Sequence, residues 1–157
     1  MRLIDVLKPE NIKISLYSDN KESVIKELID LICPNQYLQD KDSIFNAVID
    51  REKIMTTGVG REVAIPHCKI KNFKDFVIAL GIHHSGIDFN SIDNRPVKII
   101  FLLIGPEDNP GMHIRLLSRI SRLIAKEKLR ENLLLAVNPN EVYNQIKEEE
   151  KYFENSP

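Results

Sequence analysis

The sequence predicts one α/β domain. Segments dense in β-branched residues alternate with segments of helical period in a mixed order, and neither an internal repeat nor a linker-like stretch divides them. A chain of 157 residues with 43% apolar composition is also long enough to bury a core without disulfides or metals. The domain is expected over residues 1–150, with residues 151–157 a frayed tail.

Ile12, Ile14 and Leu16 alternate with Lys13 and Ser15, the period of a half-buried strand. Asp19 and Glu22 then form a capping-box pair, and Val24, Ile25, Leu28, Ile29 and Ile32 mark one helical face that Pro34 should end. A second helix is expected from Asp40 as cap, through Ile44, Ala47 and Val48, to about Arg51-Glu52, before Thr56-Thr57-Gly58 breaks the pattern. Phe76 to Ile82 and Val97 to Ile104 read as buried, neighbouring strands, with Gly86 and Asp93-Asn94-Arg95-Pro96 as turn chemistry between them and Gly105-Pro106 closing the second. After the Asn109-Pro110-Gly111 turn, Leu116, Leu117, Ile120, Leu123 and Ile124 recur at helical spacing, which puts His113 in that helix's first turn. Asn138-Pro139-Asn140-Glu141 opens a last helix carrying Val142, Tyr143 and Ile146.

Twenty-two Lys and Arg against 23 Asp and Glu give a formal net charge of -1, so no global field draws the protein to nucleic acid or anionic lipid. A small molecule or another protein is the expected partner. The apolar runs are short and the first residues lack the long apolar stretch of a signal peptide, so a cytoplasmic protein without membrane insertion is expected. In that compartment Cys33 and Cys68 are expected as reduced thiols.

Chemistry concentrates in Thr57-Gly58-Val59-Gly60-Arg61-Glu62-Val63-Ala64-Ile65-Pro66-His67-Cys68-Lys69. Two glycines permit unusual backbone angles and Pro66 restricts how His67 is presented, so a fixed histidine is expected after a flexible loop. A neutral imidazole is a nucleophile near neutral pH and needs no separate base to attack phosphorus. Donors for the phosphoryl oxygens are available in Arg51, with its planar fork, in His113 at a helix N-terminus, and in loop N–H groups. On these residues alone, a structural role for His67 stands beside the catalytic one.

The same segment, with Arg51-Glu52 upstream, resembles the type 2 enzyme IIA domains of the bacterial phosphotransferase system, the fructose, mannitol and nitrogen-regulatory group. Their phosphorylated histidine ends an Ala-Ile-Pro-His motif after a Thr-Gly-x-Gly turn. The likeness continues through Gly86-Ile87-Asp88-Phe89, Pro96-Val97, Phe101-Leu102-Leu103 and the His113 to Leu123 helix. It implies a small mixed β-sheet flanked by helices, His67 as phosphoryl acceptor, Arg51 and His113 as its supports, and no cofactor or metal. The implied donor is the phosphorylated histidine-containing carrier protein, and the implied acceptor is a IIB cysteine or, in the regulatory branch, a protein target. Cys68 directly after His67 is more like the nitrogen-regulatory branch than the sugar branches. A sugar-transport IIA and a non-catalytic docking module that kept the fold are the competing functions.

Arg61-Glu62 departs from the family, which has an uncharged, often glycine-containing pair there. A carboxylate facing an incoming phosphoryl would repel it, so either Glu62 points away or transfer is slowed. His83-His84 is an unpromising metal pair, since adjacent strand residues face opposite ways. Cys68 is expected to pack rather than react. Arg115, Arg119 and Arg122 form either a basic docking face or an ordinary solvated one, and the charge run Lys147 to Lys151 reads as a solvated helix end.

Overall fold

The computed structural model describes residues 1–36 and 40–154. In it the chain runs α1 (Leu3–Val6), β1 (Leu7–Lys13), α2 (Lys21–Gln36), α3 (Lys41–Ile54), β2 (Gly58–Gly60), β3 (Val63–Ala64), β4 (His67–Ile70), β5 (Val77–Ile87), β6 (Val97–Pro106), α4 (Pro110–Ile124), α5 (Glu127–Leu135) and α6 (Pro139–Glu154). The two β-branched segments expected to be neighbours are the antiparallel centre of the sheet, with Leu80 opposite Phe101 and Ile82 opposite Ile99. β1 adds parallel to β5, and β3 and β4 both add parallel to β6, giving a mixed six-stranded sheet in the order β1-β5-β6-β3-β2 with β4 beside β6.

Both faces of this sheet are buried, which is why the central strands are nearly continuous in apolar residues. Ile78, Leu80, Ile82, Ile99, Phe101 and Leu103 pack on one side with Leu116, Ile120 and Leu123 of α4 and with Leu129, Val142 and Ile146 of α5 and α6. Val77, Ala79, Val97, Ile100, Leu102 and Ile104 pack on the other with Val24, Leu28 and Ile32 of α2 and Ile44 and Val48 of α3. Strand alternation sorts the two sets from Ile99 onward, Val97 lying beyond the register shift between Ile82 and Ile87, and each fully buried Ile, Leu or Phe contributes about 1.5–3 kcal/mol.

Several boundaries differ from expectation. The first strand is Leu7–Lys13 rather than Ile12 to Leu16; it contains Pro9, which an edge strand tolerates because its N–H is not needed by the ladder. Beyond it Leu16 returns to β5, its N–H donating to Ile82 O at 2.9 Å. Asn20, not Asp19, caps α2 by accepting from Ser23 N–H at 2.9 Å, and the helix includes Pro34 in its last turn. Asp40 caps α3 as expected, accepting from Ser43 N–H at 3.0 Å. Gly86, expected in a turn, lies within β5 at φ 81°, where the pairing register shifts between Ile82 and Ile87, a bulge only glycine makes cheaply. Gly105 and Pro106 remain paired, with Lys69 and Ile70. α6 continues past Glu150 to Glu154, with Phe153 packed on the core; residues 155–157 of the expected tail lie outside the described residues.

The Lys147 to Lys151 run is not simply solvated. Glu150 is buried, accepts the N–H groups of Leu3 and Ile4 at 2.8 and 3.0 Å, and pairs with Arg119 Nη1 at 3.0 Å. Arg119 is thus bound within the fold, while Arg122 stays exposed with its guanidinium 4.5 Å over the Phe153 ring. Glu150→Ala would strand two N–H donors and a guanidinium; it is expected to lower unfolding free energy by about 2–3 kcal/mol, read by urea denaturation.

Candidate functional site

Thr57 to Ile70, expected as loop followed by a fixed histidine, is three short strands. β2 and β3 form a hairpin whose two turn residues, Arg61 and Glu62, have φ 58° and 67°. Two consecutive left-handed residues give the turn that matches strand twist, and glycine or asparagine is the usual occupant. Gly60 at φ 92° precedes them. The uncharged, often glycine-containing pair expected here from the resemblance therefore has a backbone reason. Glu62 does turn away: it pairs with Arg95 at 3.0 Å and Lys98 at 3.5 Å, at the opposite end of β6 from Leu103, the partner of His67. The repulsion anticipated from the sequence has no geometric basis. Glu62→Gly would relieve a left-handed non-glycine residue worth about 1–2 kcal/mol at the expense of an exposed ion pair worth about 0–1 kcal/mol. The expected result is a thermal midpoint equal to or above wild type, with the chemistry at His67 unchanged.

β4 begins at His67, alongside Leu103, with Leu103 N–H donating to Pro66 O at 3.0 Å. His67 is half-buried, and its Nδ1 lies 2.7 Å from the carbonyl oxygen of Ile65. A carbonyl only accepts, so Nδ1 carries the hydrogen and Nε2 keeps its lone pair. Desolvation is the main reason that the His67 pKa lies below the ordinary imidazole value; the positive charges of Arg51 and Lys69 act in the same direction, and Glu52 acts against them. The ring is neutral at physiological pH, the form a nucleophile needs.

His113, from the first turn of α4, is 5.5 Å from His67 between ring centroids. It is buried, and neither ring nitrogen has a hydrogen-bond partner. Burial, then the neighbouring His67, pushes its pKa down to about 4. The space for this ring comes from Gly105: a Cβ there would lie 2.4 Å from the Phe76 ring and 3.1 Å from His113 Nδ1. A buried imidazole without a partner normally costs free energy, and both nitrogens of His113 are unengaged by any described residue.

Arg51 is in the last turn of α3, its Nη1 donating to Met55 O at 3.0 Å. Arg51, His67 and His113 line one cavity of about 450 Å³ together with Asp50, Lys69, Ile114 and Leu117. The three residues singled out from sequence are thus brought together. Lys69 went unnoticed, although strand period places it on the same face as His67 two residues earlier. Cys68 points the other way into the core, and burial pushes its thiol up to about 12, so it packs. His83 binds Ser18 O at 2.6 Å through Nε2 and accepts Gly86 N–H at 3.0 Å on Nδ1, while His84 Nε2 is 3.0 Å from Ile14 O; backbone groups account for both. Among the described residues no cluster of three or more His, Cys, Asp or Glu could hold a metal ion, and no helix is long and apolar enough to cross a membrane.

Comparison with known proteins agrees with this fold. The model of the family described as "Phosphoenolpyruvate-dependent sugar phosphotransferase system, EIIA 2" matches residues 5–149. The fructose-specific EIIABC component of Bacillus subtilis is 30% identical over 151 residues, which cover 96% of this chain and 24% of that longer protein. The fructose-specific EIIA component of Haloferax volcanii is 34% identical over 128 residues, 82% of this chain and 83% of that one. Among solved structures, the nitrogen regulatory protein IIA-Ntr of Neisseria meningitidis superposes with a TM-score of 0.86 at 26% identity, covering 92% of this chain and 98% of that one. The mannitol enzyme IIA of Escherichia coli, solved in complex with phosphorylated mannitol enzyme IIB, shares the fold with a TM-score of 0.77 at 18% identity, covering 91% and 99%.

Proposed function

Because the chain belongs to the EIIA 2 family of the phosphoenolpyruvate-dependent sugar phosphotransferase system, we propose that His67 is its phosphoryl acceptor, loaded on Nε2 by a phosphohistidine donor and discharged to a second protein. One observation carries the reading: the hydrogen bond from Nδ1 to Ile65 O commits the lone pair to Nε2 in a ring kept neutral. The nucleophile attacks phosphorus, the bond from phosphorus to the donor's nitrogen breaks, and the phosphoryl group ends on Nε2 with no net change in oxidation. Arg51 and His113 hold its oxygens; Arg51 supplies charge and a two-pronged donor set, His113 a neutral N–H from a dry position. Neither a metal nor an organic cofactor enters the scheme.

The donor proposed is the phosphorylated histidine-containing carrier protein. For the discharge step two readings have support. Likeness to the Neisseria meningitidis nitrogen regulatory protein across nearly its whole length, together with Cys68 after the acceptor, favours a regulator that changes partners with phosphorylation. The 34% identity to a fructose-specific EIIA component favours transfer to a separate IIB cysteine instead. The two share the chemistry at His67 and differ only in the acceptor. A docking module without catalysis is disfavoured, because the Glu62 carboxylate that motivated it is ion-paired outside the cavity.

The test is incubation with phosphoenolpyruvate and the general phosphotransferase proteins. Acid-labile label should appear on the chain, and adding a IIB domain should drain it if the sugar branch is right. A chain that stays unlabelled with an active donor would refute the carrier role.

A further inference from the structure

Resting on the reading that His67 carries the phosphoryl group, we infer that Glu52 is a positioning residue that fixes both the His67 ring and the end of α3 that bears Arg51, through one chain of hydrogen bonds. Glu52 is next to Arg51 in sequence and, at 6% exposure, is one of the few buried carboxylates. Its two oxygens accept the N–H of Thr57 at 3.0 and 2.8 Å, and Oε1 also accepts from the Thr57 hydroxyl. Lys21 Nζ, at the start of α2, stands 3.4 Å from Oε2.

From Thr57 the chain continues toward the acceptor. The carbonyl of Thr57 accepts from Ile65 N–H at 3.0 Å, and the carbonyl of Ile65 accepts from His67 Nδ1 at 2.7 Å. Thus a single buried carboxylate is three residues of bonding away from the nitrogen whose hydrogen selects the reactive tautomer. Charge-assisted bonds at the far end are shorter and stiffer than neutral ones, and outer partners of a working histidine set its ring orientation. The same carboxylate clamps the last turn of α3 to the strand segment that follows it, so the spacing between Arg51 and His67 depends on it.

Glutamine would not substitute. It offers one acceptor where two are used, presents an NH₂ toward the Thr57 N–H, and leaves Lys21 without its counter-charge. The charged or titratable groups that act on His67 are Arg51 and Glu52 from α3, Lys69 from β4 and His113 from α4, with Asp50 also at the cavity. Glu52 is the negative member that favours the protonated ring, so its removal should lower the titration midpoint of His67 further.

The experiment uses the full chain as wild type, Glu52→Gln, Thr57→Val and Thr57→Ser, with ¹⁵N-labelled imidazoles observed by NMR without any donor, followed by phosphoryl uptake. Expected for Glu52→Gln are a smaller population of the Nδ1–H tautomer, a lower titration midpoint, and uptake slowed about tenfold. Thr57→Val should also lose tautomer purity, and Thr57→Ser should restore it. A merely structural Glu52 would lower stability and leave tautomer and midpoint as they are; that result in folded Glu52→Gln, or an unchanged tautomer in Thr57→Val where Glu52→Gln does not fold, overturns the inference. If wild type takes up no phosphoryl, the carrier reading falls, while the donor-free spectra still decide the role of Glu52.

Discussion

Replacing His67 with alanine is expected to reduce acid-labile labelling to the level of a control without donor, with the fold retained. Neither the second imidazole of the cavity nor the neighbouring thiol is placed to take over the bond. His113 is buried at 2% exposure and is not held in one tautomer by any partner, and the Cys68 thiol is neutral and turned into the core. Circular dichroism and the thermal midpoint check the fold, since His67 is at the mouth of a strand whose partner contacts are backbone bonds. Wild type adds a pH signature. An unperturbed imidazole would be half protonated at 6.5, whereas the pKa of His67 lies below that value, so the uptake rate should fall to half its plateau at a pH lower than 6.5. Substantial label on the His67→Ala protein would move the acceptor elsewhere.

The second large effect is expected at the two supports. Removing a preorganised donor to a developing anion commonly costs about a hundredfold or more in rate, and His113→Ala should do so in single-turnover uptake. Arg51→Lys keeps a charge at the site and loses the planar fork, so it should fall between wild type and Arg51→Ala. His113 also carries a proton-linked term. Its pKa is depressed to about 4 from 6.5; the unfolded chain therefore takes up a proton first, and the stability present above pH 6.5 is lost as pH falls toward 4. Chemical denaturation across that window should show a shallower loss for His113→Gln. An undiminished uptake rate in both His113→Ala and Arg51→Ala would remove them from the site.

Much of this was legible in the residues. The paired central strands, the cap at Asp40 and the turn at Asn109-Pro110-Gly111 follow from spacing and turn chemistry, whereas the roles of His67, Arg51 and His113 came from the resemblance of their segments to enzyme IIA, and their meeting in one cavity from the fold alone. Short strands were not legible: β2, β3 and β4 lack β-branched runs; β3 and β4 exist because β6 offers a distant edge to pair with, and β2 because it pairs with β3. α5 begins at Glu127 after Lys126, which makes no side-chain cap, so nothing announces its start. Glu150 was hidden inside a charge run, although Val142, Ile146 and Glu150 recur every four residues and share a face. Glu62 misled for the opposite reason: sequence adjacency to the motif suggested spatial adjacency, and the hairpin turn carries it to the other end of β6.

The cavity draws on both helical layers, Arg51 arriving from the layer of α2 and α3 and His113 from the layer of α4, with His67 and Lys69 of β4 also lining it. A dianion gripped from both sides would act as a rivet across the sandwich. The phosphorylated and free forms would then differ in how tightly the layers are fastened, giving a partner something mechanical to distinguish besides charge.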